Sequence, residues 1–214
     1  GWRETVRLDW ASVQKEKKAV VDRLVRGTEF LLERNGVEIL KGRGGLRRER
    51  DVLFRGPDGE RALEAEKIIL ATGSRSAGLP FLKTDGNAVI SHLEALNLEV
   101  VPKSLIVVGA GAIGLEIGTI YSRVGTEVTV LEVLPAILPG TDRQMASRLE
   151  RLLKKQGLKI FTEMRIEESV RASGEVSLKG TCLKTGKPFS FSAEKVLLAV
   201  GRRPNSEFLR DGFG

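Results

Sequence analysis

Apolar and polar residues follow three different rhythms along this chain. Between residues 9 and 35, Val13, Val20, Leu24, Phe30 and Leu31 recur at roughly helical spacing with Lys, Glu and Arg between them. This predicts one long amphipathic helix, closed by Asn35-Gly36. Short β-type runs follow at 37–40, 51–54 and 67–71, separated by Gly42-Arg43-Gly44-Gly45 and by Pro57-Asp58-Gly59. They predict a strand, a small hairpin or meander, and a buried closing strand. Residues 78–86, with Pro80 and Asp85-Gly86, have the turn chemistry of a domain boundary.

Beyond residue 88 strand and helix alternate. A short run at 88–90 precedes Ser91 as a helix cap. A buried strand at 105–108, a helix at 112–124, a strand at 127–131, a helix at 143–156 and a strand at 158–161 come next. Successive β-α-β units of this kind pack as a parallel sheet. After Met164 the helical spacing stops, and runs at 165–171, 175–183 and 188–191 read as an antiparallel meander before the apolar run 196–200 closes the segment at Gly201. The segments 67–74 (KIILATGS) and 195–202 (KVLLAVGR) share a plan of basic residue, apolar strand, small residue and Gly, each after a meander. Two related nucleotide-binding domains, one of them incomplete, explain that echo economically.

Composition narrows the function. The chain has 214 residues, 41% of them hydrophobic, enough for ordinary cores. Its longest apolar-plus-glycine stretch, 105–115, contains three glycines and is too short for a bilayer. The first nine residues lack the layout of a secretory signal. The net charge of +7 is concentrated in the first 55 residues, with 14 Lys or Arg against 9 Asp or Glu. Those charges are mixed in sign along the first helix, so they describe a solvated helix face rather than a nucleic-acid patch. Cys182 is the only cysteine and His92 the only histidine, which excludes an intrachain disulfide, a C-x-x-C site and a histidine metal cluster. Cys182 reads as a small packed residue, and His92, in ISHLEAL, as the start of a short surface helix. The sequence therefore nominates no catalytic residue and no metal ligand.

The chemistry is carried by Gly109-Ala110-Gly111-Ala112-Ile113-Gly114, a G-x-G-x-x-G pattern directly after a strand and at the opening of a helix. Gly109 permits the tight turn, Gly111 lets the backbone approach a pyrophosphate, and Gly114 allows close helix–sheet packing. The amide N–H groups that open the helix would face the phosphates. Glu132 lies 23 residues after Gly109, where an acid would accept hydrogen bonds from an adenosine ribose and repel a 2′-phosphate. Val133, Leu134 and Pro135 follow it and supply no cation. The pattern points to NAD(H); the alternatives are a glycine turn without a ligand and an FAD site with the same fingerprint.

The stretch 101–138, VPKSLIVVGAGAIGLEIGTIYSRVGTEVTVLEVLPAIL, resembles the NAD domain of dihydrolipoamide dehydrogenases and of the wider pyridine nucleotide-disulfide oxidoreductases. IILATGSRS at 68–76 and LLAVGRRPN at 197–205 resemble that family's exits from its FAD and NAD domains. The resemblance implies an α/β protein: a Rossmann-like NAD domain with parallel sheet and β-meander at 85–204, an incomplete FAD-binding domain of the same type at 1–84, and a return segment at 205–214. It places NAD contacts on Gly109, Ala110, Gly111, Ala112, Ile113, Gly114, Leu115 and Glu116, with Glu132 at the ribose and Ile166 and Gly201 as further lining. FAD contacts fall on Gly44, Thr72, Gly73 and Ser74. In the family the acid at the place of Glu116 lies close to the flavin, and the residue at Ile113 lies where nicotinamide enters.

The family moves electrons between a dithiol, a cysteine pair, FAD and NAD. Its first FAD fingerprint, C-x-x-x-x-C pair, later Gly-Asp flavin contact, C-terminal His-Glu pair and dimerisation domain have no counterpart in this sequence. The resemblance implies a fragment with binding parts of a cytoplasmic flavoprotein and little or no turnover of its own. The parent would oxidise dihydrolipoamide on 2-oxoacid dehydrogenase or glycine cleavage complexes, as a homodimer, with no nucleic-acid or membrane partner. Mercuric reductases, soluble transhydrogenases and a non-catalytic NAD-binding module remain as alternatives.

Overall fold

The computed structural model describes residues 8–48, 51–172 and 174–207; the end of the expected return segment, after Glu207, lies outside them. The chain forms two compact units. One is built from Ser76–Arg202 with the described residues up to Gln14, the other from Lys15–Arg75 with the described residues from Arg203 on.

The helical spacing near the N-terminus produces α1 (Trp10–Arg34). The helix is amphipathic as predicted by its spacing, yet no residue of α1 is buried, and Leu24, Phe30 and Leu31 are each more than half exposed. A helix stripe is covered only where another element presents an apolar face to it. Next come β1 (Arg43–Arg48), β2 (Asp51–Gly56) and β3 (Gly59–Glu64), an antiparallel meander in that order. Two expectations fail here. Residues 37–40 form no strand, and Gly44 and Gly45, read as a turn, pair with Phe54 and Leu53 inside β1. Side-chain packing against the partner strand outweighs propensity: a Cβ on Gly42 or Gly56 would stand within 2.8 Å of the Phe54 ring, so the glycines make room for the aromatic side chain. The third strand went unread because GERALE is mostly polar; Arg61 instead lies over the Phe54 ring at 5.6 Å.

The buried closing strand expected at 67–71 is also absent, and Ile69 is 91% exposed. A strand apolar on both sides needs neighbours and covering layers, and none of the described strands pairs with this run. The chain crosses between units at β4 (Ser74–Ser76), which pairs with β13 (Arg202–Pro204).

The unit Ser76–Arg202 follows the alternation read from the sequence: β5 (Val89–Ile90), α2 (His92–Ala95), β6 (Ser104–Val108), α3 (Ala112–Arg123), β7 (Glu127–Leu131), α4 (Arg143–Lys155), β8 (Lys159–Phe161), β9 (Met164–Ala172), β10 (Glu175–Cys182), β11 (Pro188–Ala193) and β12 (Lys195–Leu198). Ser91 caps α2 in a reciprocal arrangement with Glu94. The parallel sheet has the order β5-β12-β6-β7-β8, and β9 to β11 form the antiparallel meander. Because successive strand residues face opposite sides, β6 is divided between two cores. Leu105 and Val107 join Leu115, Ile117 and Tyr121 of α3 and Leu153 of α4. Ile106 and Val108 join Met164 and Ile166 of β9 and Leu178 of β10, with Cys182 packed against that cluster. Helices, sheet and meander therefore stack as three layers. Among the described residues no helix is long and apolar enough to cross a membrane.

The helix layer contains the chain's only tyrosine. Tyr121 is 2% exposed, its hydroxyl donates to the Ala95 carbonyl, and its ring lies 5.9 Å from that of Trp10. Burial pushes its phenol up to about 12. An unfolded chain loses this proton near pH 10, so the folded state holds it more tightly and stability falls as pH rises from about 10 to about 12. Titration of the phenolate absorbance should accordingly give a single midpoint near 12. A midpoint near 10 would mean that the ring is solvated. Tyr121→Phe should remove this pH dependence and cost about 1 kcal/mol in denaturant unfolding.

Candidate functional site

The strand order places β7 and β8 on one side of β6 and β12 on the other, although β12 is the last strand of this sheet in chain order. The direction in which the chain winds along the sheet thus reverses between β6 and β12, and in open α/β sheets ligands bind outside the carboxyl ends of strands at such a point. A cavity of about 640 Å³ lies there, lined among others by Val108, Gly109, Gly111, Glu132, Ile166 and Gly201.

The first turn out of β6 is shaped by its glycines. Gly109 has φ +101, and a Cβ there would meet the Ala199 carbonyl oxygen at 2.5 Å. A Cβ on Gly114 would meet the Gly109 carbonyl at 2.2 Å and Val107 at 2.9 Å, so helix and strand approach only because both positions lack side chains. Gly111 differs. Its φ is an ordinary −77, and nothing stands within 4 Å of an added Cβ; it faces open space. Gly111 is also the N-cap of α3 and makes no side-chain cap hydrogen bond, which leaves the first helical N–H groups without an internal partner and with the positive end of the helix dipole behind them.

Glu132 is 6% exposed. One carboxylate oxygen accepts the Ala110 amide N–H at 2.7 Å and the other accepts that of Leu134 at 2.9 Å. Its backbone also bonds to Phe161 and Met164, the end of β8 and the start of β9. The side chain hence ties the glycine turn to the exit of β7. Each carboxylate oxygen has a second lone pair, so Glu132 can accept hydroxyl protons from a molecule in the cavity without releasing either amide.

Of the residues nominated for NAD, Gly109, Gly111, Glu132, Ile166 and Gly201 share this lining. Ala112 and Ile113 line an adjoining cavity with Gly111 and Gly201. Ala110, Gly114 and Leu115 are buried in the turn and helix layer, which leaves them only backbone groups to offer. Glu116 is exposed on α3 and lines neither cavity. In the other unit, Gly44 lies in β1, while Thr72 and Gly73 are joined to Asn205. The Thr72 hydroxyl donates to the Asn205 carbonyl at 2.8 Å, the Asn205 amide N–H donates to the Gly73 carbonyl at 3.0 Å, and its side-chain NH₂ donates to the Thr72 carbonyl at 3.0 Å. Ser74 opens β4. The cavity in that unit, lined by residues such as Ile39, Phe54 and Arg61, includes none of these four.

Several lining residues went unnominated: Leu79, Phe81, Pro139, Met164 and Arg165. Arg165 bears on specificity, because it places in the cavity wall a cation that the residues next to Glu132 do not supply. Its Nε lies 3.2 Å from Glu167. Only the start of β9, folding back against β7, brings it there, and no local spacing signals that approach.

Residues 3–213 match the family model described as pyridine nucleotide-disulphide oxidoreductase. The chain belongs to that family. Among its relatives are a dihydrolipoamide dehydrogenase of Chaetomium thermophilum, 38% identical over 95% of this chain and 41% of that protein, and a dihydrolipoyl dehydrogenase 3 of Pseudomonas putida, 39% identical over 94% and 44%. The chain thus spans less than half the length of these curated relatives. LpdA of Mycobacterium tuberculosis superposes with a TM-score of 0.83 at 24% identity, over 94% of this chain and 44% of that one. The HOCl-induced flavoprotein disulfide reductase RclA of Escherichia coli, in its Cu(II) complex, gives 0.79 at 24% identity over 95% and 46%. These two likenesses establish the oxidoreductase fold.

The glycine geometry predicts a contrast. Gly109→Ala should lose about 2 kcal/mol or more in denaturant unfolding, from left-handed strain and the clash with Ala199. Gly111→Ala should stay within about 0.5 kcal/mol of the parent. Equal losses at the two positions would contradict the open space at Gly111.

Proposed function

We propose that the unit Ser76–Arg202 binds NAD(H) across the end of its parallel sheet, as part of a flavin-dependent oxidoreductase acting as a dihydrolipoamide dehydrogenase. The observation that carries this reading is Glu132, a buried carboxylate with acceptor capacity to spare, at the rim of a cavity that runs to an uncapped helix start. In this reading Glu132 takes the adenosine ribose hydroxyls. The amide N–H groups of Gly111, Ala112 and Ile113 take the diphosphate, and Ile166, Met164 and Gly201 wall the cavity. Arg165 is engaged by Glu167, so discrimination against a 2′-phosphate rests on the Glu132 carboxylate.

Gly44, Thr72, Gly73 and Ser74 are the family's FAD positions in this chain. They are distributed between β1 and the Asn205 clamp, and they represent part of an FAD site. When bound, the flavin would carry electrons between a thiol pair and nicotinamide. With Cys182 as its only cysteine, this chain holds no pair to oxidise, so the reading for the chain by itself is NAD(H) binding without turnover. A cytoplasmic setting, a homodimer and work on lipoamide of 2-oxoacid dehydrogenase or glycine cleavage complexes belong to the same proposal for the whole protein.

Calorimetric titration of the chain with NADH and NADPH tests it. Saturable NADH binding is expected, with NADPH at least tenfold weaker. Gly111→Ala should abolish NADH binding while leaving stability intact. Glu132→Gln, which keeps one acceptor for the turn, should narrow the NADH–NADPH difference. Absence of NADH binding to the parent chain, or equal binding by Gly111→Ala, overturns the proposal.

A further inference from the structure

β9 is irregular where it passes the larger cavity. Its pairing with β10 reaches Glu168 opposite Lys179 and then steps to Ile166 opposite Gly180, so Glu167 is the extra residue of a β-bulge. The alternation of burial breaks at the same place: Met164 and Ile166 are buried, whereas Glu168, next in that series, is exposed. Gly180 accommodates the bulge, because a Cβ there would meet the Arg165 carbonyl oxygen at 2.0 Å. Two exposed side chains meet as a result. The Arg165 Nε–H donates to one Glu167 carboxylate oxygen at 3.2 Å, and the Thr181 hydroxyl of β10 donates to the other at 3.3 Å. Glu167 is thus held from two strands, and with Gly180 and Thr181 it lines an open groove on the outer face of the meander. Arg165 lines the cavity beside Glu132, but the carboxylate that engages it is on the groove side.

We propose that Glu167 is a specificity-determining residue of the dinucleotide site: it keeps Arg165 from the 2′-phosphate that distinguishes NADP(H) from NAD(H). This rests on the assignment of the larger cavity to the adenosine half. Among the described residues that line this cavity, Arg165 is the only cation and Glu132 the only anion. Glu132 suits ribose hydroxyls, and a phosphate on the 2′ oxygen would need a cation within reach. An arginine can supply one with two parallel N–H donors. Here its charge is balanced by Glu167 and its Nε is already committed. A 2′-phosphate that drew Arg165 across would break the Nε bond and leave the Glu167 carboxylate without its cation. With Glu167 in place, repulsion between Glu132 and a 2′-phosphate therefore goes unanswered.

Two carboxylates exclude NADP(H) in different ways, Glu132 by facing it and Glu167 by retaining the cation. Glu167 acts through Arg165 and does not touch the ligand, so it is a positioning residue. The pair is solvent-exposed, with side chains 57% and 49% accessible. Exposed pairs of this kind shift an equilibrium by about fivefold at most, which sets the size of the effect.

The test is the ratio of the NADPH and NADH dissociation constants of the full chain, with NADH titrated directly and NADPH read by competition against it. At about pH 8 the 2′-phosphate carries both its charges. Glu167→Gln keeps the shape and an acceptor for Thr181 but loses the charge, and it should narrow the ratio by about three- to fivefold. The narrowing should shrink at high salt. Arg165→Gln alone should move the ratio by less than about twofold, because the cation is already engaged, and combining it with Glu167→Gln should abolish the narrowing. A purely structural role for Glu167 would change both constants together and leave the ratio as it was. An unchanged ratio in Glu167→Gln, or a narrowing that persists without Arg165, overturns the proposal while NADH binding by the parent chain still supports the cavity's assignment. If the parent chain does not bind NADH, that assignment fails and takes the role of Glu167 with it.

Discussion

A single buried carboxylate fixes the geometry at the end of the parallel sheet. Glu132 leaves β7 with its side chain turned back, and its two oxygens take the amide N–H groups of Ala110 and Leu134. Burial of an acid at 6% exposure is unfavourable unless such donors meet it. The arrangement therefore supports itself in both directions. The carboxylate satisfies two backbone donors that the sharp turns would otherwise leave without partners, and those donors make the buried carboxylate tolerable. The turn at Gly109 and the opening of α3 inherit their position from this exchange, which is why a residue expected to face a ligand is also part of the scaffold.

The two-sided burial of the sheet extends that constraint into the rest of the unit. In β6, Leu105 and Val107 face the helix layer and Ile106 and Val108 face the meander. Any one-residue slip would exchange the two sets and leave both cores misfilled. Because the register of β6 against β7 and β12 is so strongly set, the carboxyl ends of all three strands arrive at one level, and Gly109, Glu132 and Ala199 meet there. The cavity is a consequence of that alignment together with the reversal of winding direction between β6 and β12.

The same physics explains what could be read from the sequence. Strand 127–131, the helix after Gly111 and the cap at Ser91 were legible because each is determined within its own segment: a continuous apolar run, an uncapped glycine turn, a Ser-x-x-Glu pair. Residues 37–40 and 67–71 have equally good β-type patterns and form no strand, because a strand exists only with a partner, and partners are not encoded locally. β1 was hidden for the complementary reason: Gly42 and Gly44 signal a turn in one dimension, while in three Gly42 gives the Phe54 ring room and Gly44 joins the ladder. At the site, the glycine turn and Glu132 were legible from spacing. Arg165 was not, because it arrives from a distant segment, and nothing near it in sequence marks the cavity it reaches.

The separation of the two units bears on how binding and chemistry divide in such a protein. Every residue that lines the larger cavity lies between Leu79 and Gly201, inside one unit, and each hydrogen bond that shapes the glycine turn is made within that same span. On the proposed reading, recognition of a dinucleotide depends on locally closed geometry with its own core on either side. Disulfide chemistry has no such independence: it requires two thiols, and the single cysteine here packs beside the meander rather than at the end of the sheet. The cavity and the glycine turn are thus shaped within one unit, because nothing that positions that turn depends on a thiol pair.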